Sequence, residues 1–355
     1  MALPFISRST KRDQLISIDL GARTTKAVCL QRKPEGYVLL GYAIMDALIY
    51  EKSLSVELLA DHLKSVWQAL NTKTKYVILS LSLADSVVRH AELPQVPVSD
   101  MRQIVKNNPK NYLQQELPGH VFDCCVIPQR PGAKPAEKPK PGMPVKDRVL
   151  VAGAKKQTVD DVYASIKAAG LIPEAIAPGL LGPVNAFELS LPATFTTEVV
   201  ALVDIGFKST SICILQEGEL ALSRVVGIGG DKLTLGLSES LGVSYAEAEG
   251  IKVGMPTDVQ TNLEGLVLPL GRELRASIDF FEHQQDKAIT KVYISGATSR
   301  SDVIVQMLQA ELMVECKPWN PLVSLQFALP PEQVGDIENV STQLTVAIGA
   351  AAALL

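Results

Sequence analysis

Residues 199–213 read VVALVDIGFKSTSIC. Five consecutive apolar residues run into Asp204, the pattern of a strand buried on both faces. Gly206, two residues on, marks a tight turn and leaves the backbone bare where a ligand would approach. Lys208, Ser209, Thr210 and Ser211 add a charge and hydroxyls to that turn before apolar residues resume at Ile212. An aspartate beside such donors can hold a hydrated Mg²⁺ while turn N–H groups hold phosphate. An ordinary hairpin has the same outline, because short motifs are permissive.

The motif has an echo. Residues 15–29 read LISIDLGARTTKAVC, with Asp19 matching Asp204, Gly21 matching Gly206, and Arg23-Thr24-Thr25 matching Lys208-Ser209-Thr210. The offset between the two aspartates is 185 residues in a chain of 355, so one half repeats the other. Two equivalent strand–turn–strand loops imply a cleft gripped from both sides, and a phosphate clamp rather than a lone hairpin.

Composition sets the limits. At 355 residues and 47% hydrophobic content the chain can bury two sizeable cores. A net charge of -4 argues against nucleic acid as a partner. No apolar run reaches bilayer-spanning length, and no secretory signal is apparent at the N-terminus. Cys29, Cys124, Cys125, Cys213 and Cys316 show no C-x-x-C spacing, which fits a reducing cytoplasm. His62, His90, His120 and His283 are scattered and suggest no metal site.

Residues 1–14 carry three basic residues and little periodicity, and are expected to be a flexible leader. A hairpin follows, then a helix over 55–70 capped by Ser55. Strands are expected at 76–83, 87–93, 121–127 and 148–154, with helices from Ser99 to about Gln115 and over 159–169. Residues 129–146, with five prolines and four lysines, read as a solvated loop. In the second half, Gly227 to Thr234 is a glycine-rich helix entry, where N–H groups favour phosphate. Ser244 caps a helix that carries Glu249 and Lys252 on one face, either as a surface ion pair or as hydrogen-bonding groups for a ribose or adenine. A helix is expected over 269–284, then a strand from Lys291 into Ser295-Gly296-Ala297-Thr298, and a final Ala-rich helix over 342–355.

In this order the motifs resemble the actin/sugar-kinase/heat-shock-chaperone ATPase superfamily. Within it, the chain resembles the PilM family of type IV pilus assembly and its cell-division relative FtsA. Asp19 to Lys26, Glu92-Leu-Pro, Val203-Asp-Ile-Gly, Gly229-Gly-Asp, Ala248-Glu-Gly-Ile-Lys-Val-Gly and Asn320-Pro321 carry the likeness. The resemblance implies an α/β actin-like ATPase fold, with two lobes of duplicated mixed β-sheet and an inserted PilM/FtsA-type subdomain. It places the first lobe at 15–74 with helix 342–355 packing back on it, the insert at 75–178, and the second lobe at 179–341. It implies ATP or ADP with Mg²⁺ in the cleft. Asp19 and Asp204 would organise the metal, mainly through water. Gly21, Thr24, Thr25, Lys26, Gly206, Lys208, Ser209 and Thr210 would hold phosphates. Gly229, Gly230, Glu249, Lys252, Gly296, Ala297 and Thr298 would surround the nucleoside. The implied partner is the cytoplasmic N-terminal peptide of a PilN-like inner-membrane protein, with self-association into a ring or filament as a further option. The implied location is the cytoplasm, peripheral to the inner membrane through that partner.

This chain departs from the family pattern at Ala22-Arg23, where serine is usual after the first Asp-x-Gly, at Phe207-Lys208 and at Ala297. Phe207 is expected to narrow the phosphate cleft. No residue is recognisable as positioning an attacking water, so at most a weak ATPase is expected. Three alternatives stay open: a pseudo-ATPase that binds partners without nucleotide, an FtsA-like filament former, and a sugar-kinase-like phosphotransferase.

Overall fold

The computed structural model describes residues 4–7, 12–48, 55–128 and 145–355. The loop expected at 129–146 lies almost wholly outside the described residues, as does much of the expected leader. Within that leader, Ile6–Ser7 form a short strand, β1. β2 (Gln14–Leu20) and β3 (Thr24–Lys33) make the first hairpin, with Asp19 opposite Lys26, and β4 (Gly36–Asp46) continues it. Helix α1 (Val56–Ala69) opens at Ser55, whose hydroxyl accepts from the Leu58 N–H. β5 (Tyr76–Leu81) then runs parallel to β2 and sets Ser80 beside Asp19.

The chain leaves this sheet for β6 (Ser86–Pro94), α2 (Val98–Asn107), α3 (Pro109–Leu113), β7 (His120–Val126) and β8 (Lys146–Lys155). These strands form a separate antiparallel sheet in the order β6-β8-β7. It returns through α4 (Lys156–Ala168), which packs on α1, to β9 (Ile172–Pro178), parallel to β5.

Two helices, α5 (Gly182–Ser190) and α6 (Pro192–Thr197), lead to the second half. There β10 (Val199–Ile205), β11 (Thr210–Gln216) and β12 (Glu219–Val226) form an antiparallel meander. Next come α7 (Gly230–Leu241), α8 (Tyr245–Gly254) and the long α9 (Gln260–Gln285). β13 (Lys291–Ser295) lies parallel to β10, and α10 (Asp302–Leu312) leads to β14 (Cys316–Pro318). The chain ends through β15 (Leu325–Phe327), α11 (Pro331–Val334), α12 (Ile337–Val340) and α13 (Thr345–Ala352).

The large sheet has the order β1-β9-β5-β2-β3-β4-β15, and the second sheet β12-β11-β10-β13-β14. Without β1 and β15 the orders are the same, so the repeated Asp-x-Gly motif is the trace of a repeated sheet. Register makes the match finer, since Asp204 pairs with Ser295 as Asp19 pairs with Ser80. A core including Leu15, Val28, Phe187, Val200, Tyr293 and Ile348 joins the two sheets through α5 and α13. Phe187 meets Tyr293 and Trp319 edge-on, with ring centroids 4.8 and 5.2 Å away. Where α5 crosses α13, a Cβ on Gly349 would stand 1.8 Å from the Gly182 carbonyl oxygen, so only glycine permits this approach.

Several boundaries differ from those read in the sequence. The insert is the β6–β8 unit, not 75–178, because β5 and β9 are apolar strands buried inside the large sheet and α4 packs on α1. The second lobe is not continuous over 179–341 either, since β15 pairs with β4 at the edge of the first sheet. Ile6–Ser7 are no free leader, because they pair with Ala175 and Ile176 of β9. The helix expected to run to about Gln115 breaks at Asn108 (φ −140°, ψ 56°), which Pro109 forces out of the helical region. Conversely, Pro269, the expected start of a helix over 269–284, lies inside α9, whose earlier turns are held by buried Leu263 and Val267.

Candidate functional site

The two Asp-x-Gly turns meet in the cleft between the sheets. Asp19 Oδ2 lies 3.4 Å from Lys26 Nζ across the first hairpin. Asp204 Oδ1 accepts from Ser295 Oγ at 2.7 Å. Burial pushes the Asp204 carboxyl above the usual carboxylate range; the Ser295 bond and the Lys26 charge oppose that push, and Asp19 adds to it. Lys26 and Asp19 belong to the first half, so groups from both halves share one electrostatic floor. Ser80 Oγ, which corresponds to Ser295 beside the other aspartate, is buried without a hydrogen-bond partner among the described residues.

The hydroxyls divide in the same way on both turns. Thr25 is buried and its Oγ1 meets His62 Nε2 at 2.8 Å, while Thr210 is buried and donates to the Ile228 carbonyl at 2.7 Å. These two hold the hairpins to their surroundings. Thr24 and Ser209, one residue earlier in each turn, are partly exposed.

Several residues expected around a nucleotide are engaged with one another. Lys208 Nζ is paired with Asp231 Oδ2 at 2.6 Å, and Tyr245 donates its phenol to the same carboxylate. Burial alone would raise the Asp231 carboxyl, but Lys208, Tyr245 and the Arg23 charge bring it below its ordinary value. The glycine-rich entry docks α7 onto the second turn: Gly230 and Asp231 N–H donate to the Gly206 and Phe207 carbonyls, both at 2.9 Å. A Cβ on Gly229 would stand 2.4 Å from the Phe207 carbonyl oxygen. Buried Lys252 donates to Glu249 and Thr234, both at 2.7 Å, and to the Gly230 carbonyl at 3.3 Å. Gly296 has φ 88°, and a Cβ there would meet the Ile205 carbonyl oxygen at 2.2 Å, so the late strand end closes tightly on β10. Ala297 is exposed, and Thr298 Oγ1 lies 3.1 Å from the Cβ position of Gly230.

Phe207 stands between the two turns. The Arg23 guanidinium carbon lies 5.2 Å from its ring centroid, and Lys208 Nζ also lies 5.2 Å away. The turns thus touch through a cation–π contact, which the sequence marked only as a narrowed cleft.

Asp19 and Asp204 with the orphaned Ser80 hydroxyl and the bare Gly21 and Gly206 backbones fit a largely hydrated Mg²⁺ and a polyphosphate. Among the described residues no group of three or more His, Cys, Asp or Glu is placed to bind a metal, so water would complete the coordination.

A second concavity, of about 570 Å³, lies where the insert meets the second lobe. β6 and β12 are edge strands of their sheets. They are tied at one end by His90 Nε2 to the Leu220 carbonyl, at 2.8 Å, and by the Arg148–Glu219 ion pair. Ser86–Arg89 and Leu222–Val225 line it, together with Leu83, Leu180 and Phe280. Ser223 Oγ in this lining is buried without a partner among the described residues, and Phe280 is 54% exposed. The strand expected at 87–93 is β6, but which edges stay free is decided by sheet order.

Two lobes of matched sheet order, joined by crossing helices and opposing Asp-x-Gly turns across a cleft, define the actin-like ATPase fold. Residues 17–353 match the family model described as type IV pilus assembly protein PilM, and the chain belongs to that family. Among curated proteins it is 33% identical over 103 residues to the cell division protein FtsA of Bacillus subtilis (strain 168), covering 29% of this chain and 22% of FtsA. The chain therefore spans about a fifth of that relative's length. Among solved structures, a PilM–PilN type IV pilus biogenesis complex superposes with a TM-score of 0.80 at 22% identity, over 96% of this chain and 98% of the other. MreB5 of Spiroplasma citri bound to ADP gives a TM-score of 0.52 at 10% identity, over 96% of both chains. Among the described residues no helix is long and apolar enough to cross a membrane.

Proposed function

We propose that this PilM-family chain is a cytoplasmic scaffold in the assembly of a type IV pilus or related secretion system. It docks the cytoplasmic N-terminal peptide of a PilN-like inner-membrane protein and closes its lobes on ATP or ADP with Mg²⁺. The observation that carries the docking is the groove between β6 and β12. Two edge strands offer N–H and C=O groups to an extended chain, apolar side chains contribute to its lining, and Arg89 in that lining is exposed. These features suit a peptide added as a strand, with alternate apolar side chains inward and an acidic residue near Arg89. The same peptide would pull the insert and the second lobe together, because β6 belongs to one and β12 to the other. The PilN named in the superposable PilM–PilN complex supports a PilN-like partner for this chain.

For the cleft, Asp19 and Asp204 would hold the hydration shell of Mg²⁺, Lys26 a phosphate as a point charge, and Thr24 and Ser209 phosphate oxygens. When bound, the Mg-nucleotide supplies the anionic bridge between the turns. Binding without turnover is the expected state, since none of these groups is placed as a base for water. A second reading, a pseudo-ATPase without nucleotide, is favoured by the internal pairing of Lys208 and Lys252 and by Phe207 between the turns.

Co-purification tests the scaffold. A full-length PilN-like single-span membrane protein is expressed with it, and the chain should be retained in the membrane fraction. Phe280→Asp should release it. Retention that ignores Phe280→Asp would remove the groove from the reading.

A further inference from the structure

We propose that Arg23 reads the outermost phosphate of the bound nucleotide, with the Phe207 ring as the resting place of its guanidinium. The inference rests on the nucleotide reading of the cleft and deepens it. Each lysine around the cleft has a carboxylate partner: Lys26 has Asp19, Lys208 has Asp231, and Lys252 has Glu249. Arg23 is different. It is exposed at the tip of the first turn and makes no ion pair among the described residues. Its guanidinium carbon instead lies 5.2 Å from the centroid of a ring carried by the opposite turn.

Position gives this free cation its ligand. Arg23 is two residues past Gly21, whose bare backbone lies beside Lys26 Nζ, and it faces Phe207, the residue after Gly206. Its charge reaches across the cleft far enough to favour the ionised forms of Asp231 and Glu249. An anion between the two turns would meet in it a cation with no carboxylate partner among the described residues. A guanidinium can grip a terminal phosphate with two parallel N–H bonds, which a cation–π contact in partial solvent does not match. A terminal phosphate would therefore draw Arg23 off the ring, whereas a nucleoside or monophosphate would leave it there. The chain would gain discrimination by phosphate number from an exposed residue of its first turn.

Isothermal titration of the full-length protein with Mg-ATP, Mg-ADP, AMP and adenosine tests this, with thermal shift as a second readout. The unmodified protein should bind ATP more tightly than AMP. Arg23→Ser should weaken ATP roughly 10- to 100-fold while leaving adenosine within about two-fold, the range expected for a lost charge-assisted bond. Arg23→Lys should recover part of the loss. Phe207→Ala, which removes the resting contact, should strengthen ATP by about two- to five-fold. Equal ATP affinity in the unmodified protein and Arg23→Ser would overturn the role of Arg23 and leave the nucleotide site standing. No binding of any nucleotide to the unmodified protein would overturn both. An equal loss for ATP and adenosine would make Arg23 a structural residue and also overturn the proposal.

Discussion

Thr24 and Thr25 are neighbours with opposite duties. Strand alternation puts successive side chains on opposite faces, so one threonine of the pair stays at the cleft and the other is buried against His62. Ser209 and Thr210 repeat the arrangement. The aspartates and glycines were legible because their chemistry is rare in an apolar run. The division of hydroxyls was equally available from alternation, yet the motif as a unit drew all of them toward phosphate. Thr25→Val should cost about 1–3 kcal/mol of stability by stranding the His62 nitrogen, and should leave nucleotide affinity nearly unchanged. Thr24→Ala should do the reverse. Denaturant melts and titrations on the pair decide it, and a drop in affinity for Thr25→Val would return that residue to the cleft. The same scale carries a pH effect. Burial holds the pKa of both His62 and His90 below the ordinary histidine value, so both are neutral in the fold. Between the depressed folded value and the unfolded one near 6.5, the unfolded chain binds more protons. Stability is therefore full above about pH 6.5 and falls as acid lowers the pH through that window. Melting temperature at pH 7.5 should exceed that at pH 5.5, and His90→Gln should narrow the gap. A flat profile in the unmodified protein would show that neither ring is held neutral.

At the scale of elements, periodic segments were readable and packing-defined ones were not. α1 with its Ser55 cap and α8 with its Ser244–Glu247 capping box stand where the sequence placed them, because caps are local chemistry. β9, β15 and the first turns of α9 were missed. β9 contains two prolines and β15 only three residues, so each owes its conformation to the strand beside it. Pro269 gave a false start to α9 because a proline at the first helical position is the commoner case. The α5–α13 crossing is the element contact with least tolerance. Gly349→Ala puts a methyl group 1.8 Å from the Gly182 carbonyl oxygen, so the helices must separate. The expected loss is about 1–3 kcal/mol or more, with reduced coupling between the lobes. A melting temperature unchanged in Gly349→Ala would show that the helices can slide apart freely.

For the whole molecule, the repeat of Asp-x-Gly was enough to give the two-lobed plan, since a duplicated strand–turn–strand has few ways to share a ligand. The extent of the insert was not legible. β5 and α4 look in sequence like their neighbours in the insert, and only the pairing of β5 and β9 shows that the chain has left and rejoined one sheet. The groove is a product of that excursion, because it exists where an inserted edge strand meets the edge of another lobe. Hydrogen–deuterium exchange on the full-length chain, with and without the N-terminal peptide of the PilN-like partner, tests this directly. Backbone amides of residues 86–89 and 222–225 should gain protection together on peptide addition, and Phe280→Asp should abolish the gain. Protection confined to other surfaces, or present unchanged in Phe280→Asp, would contradict docking between β6 and β12.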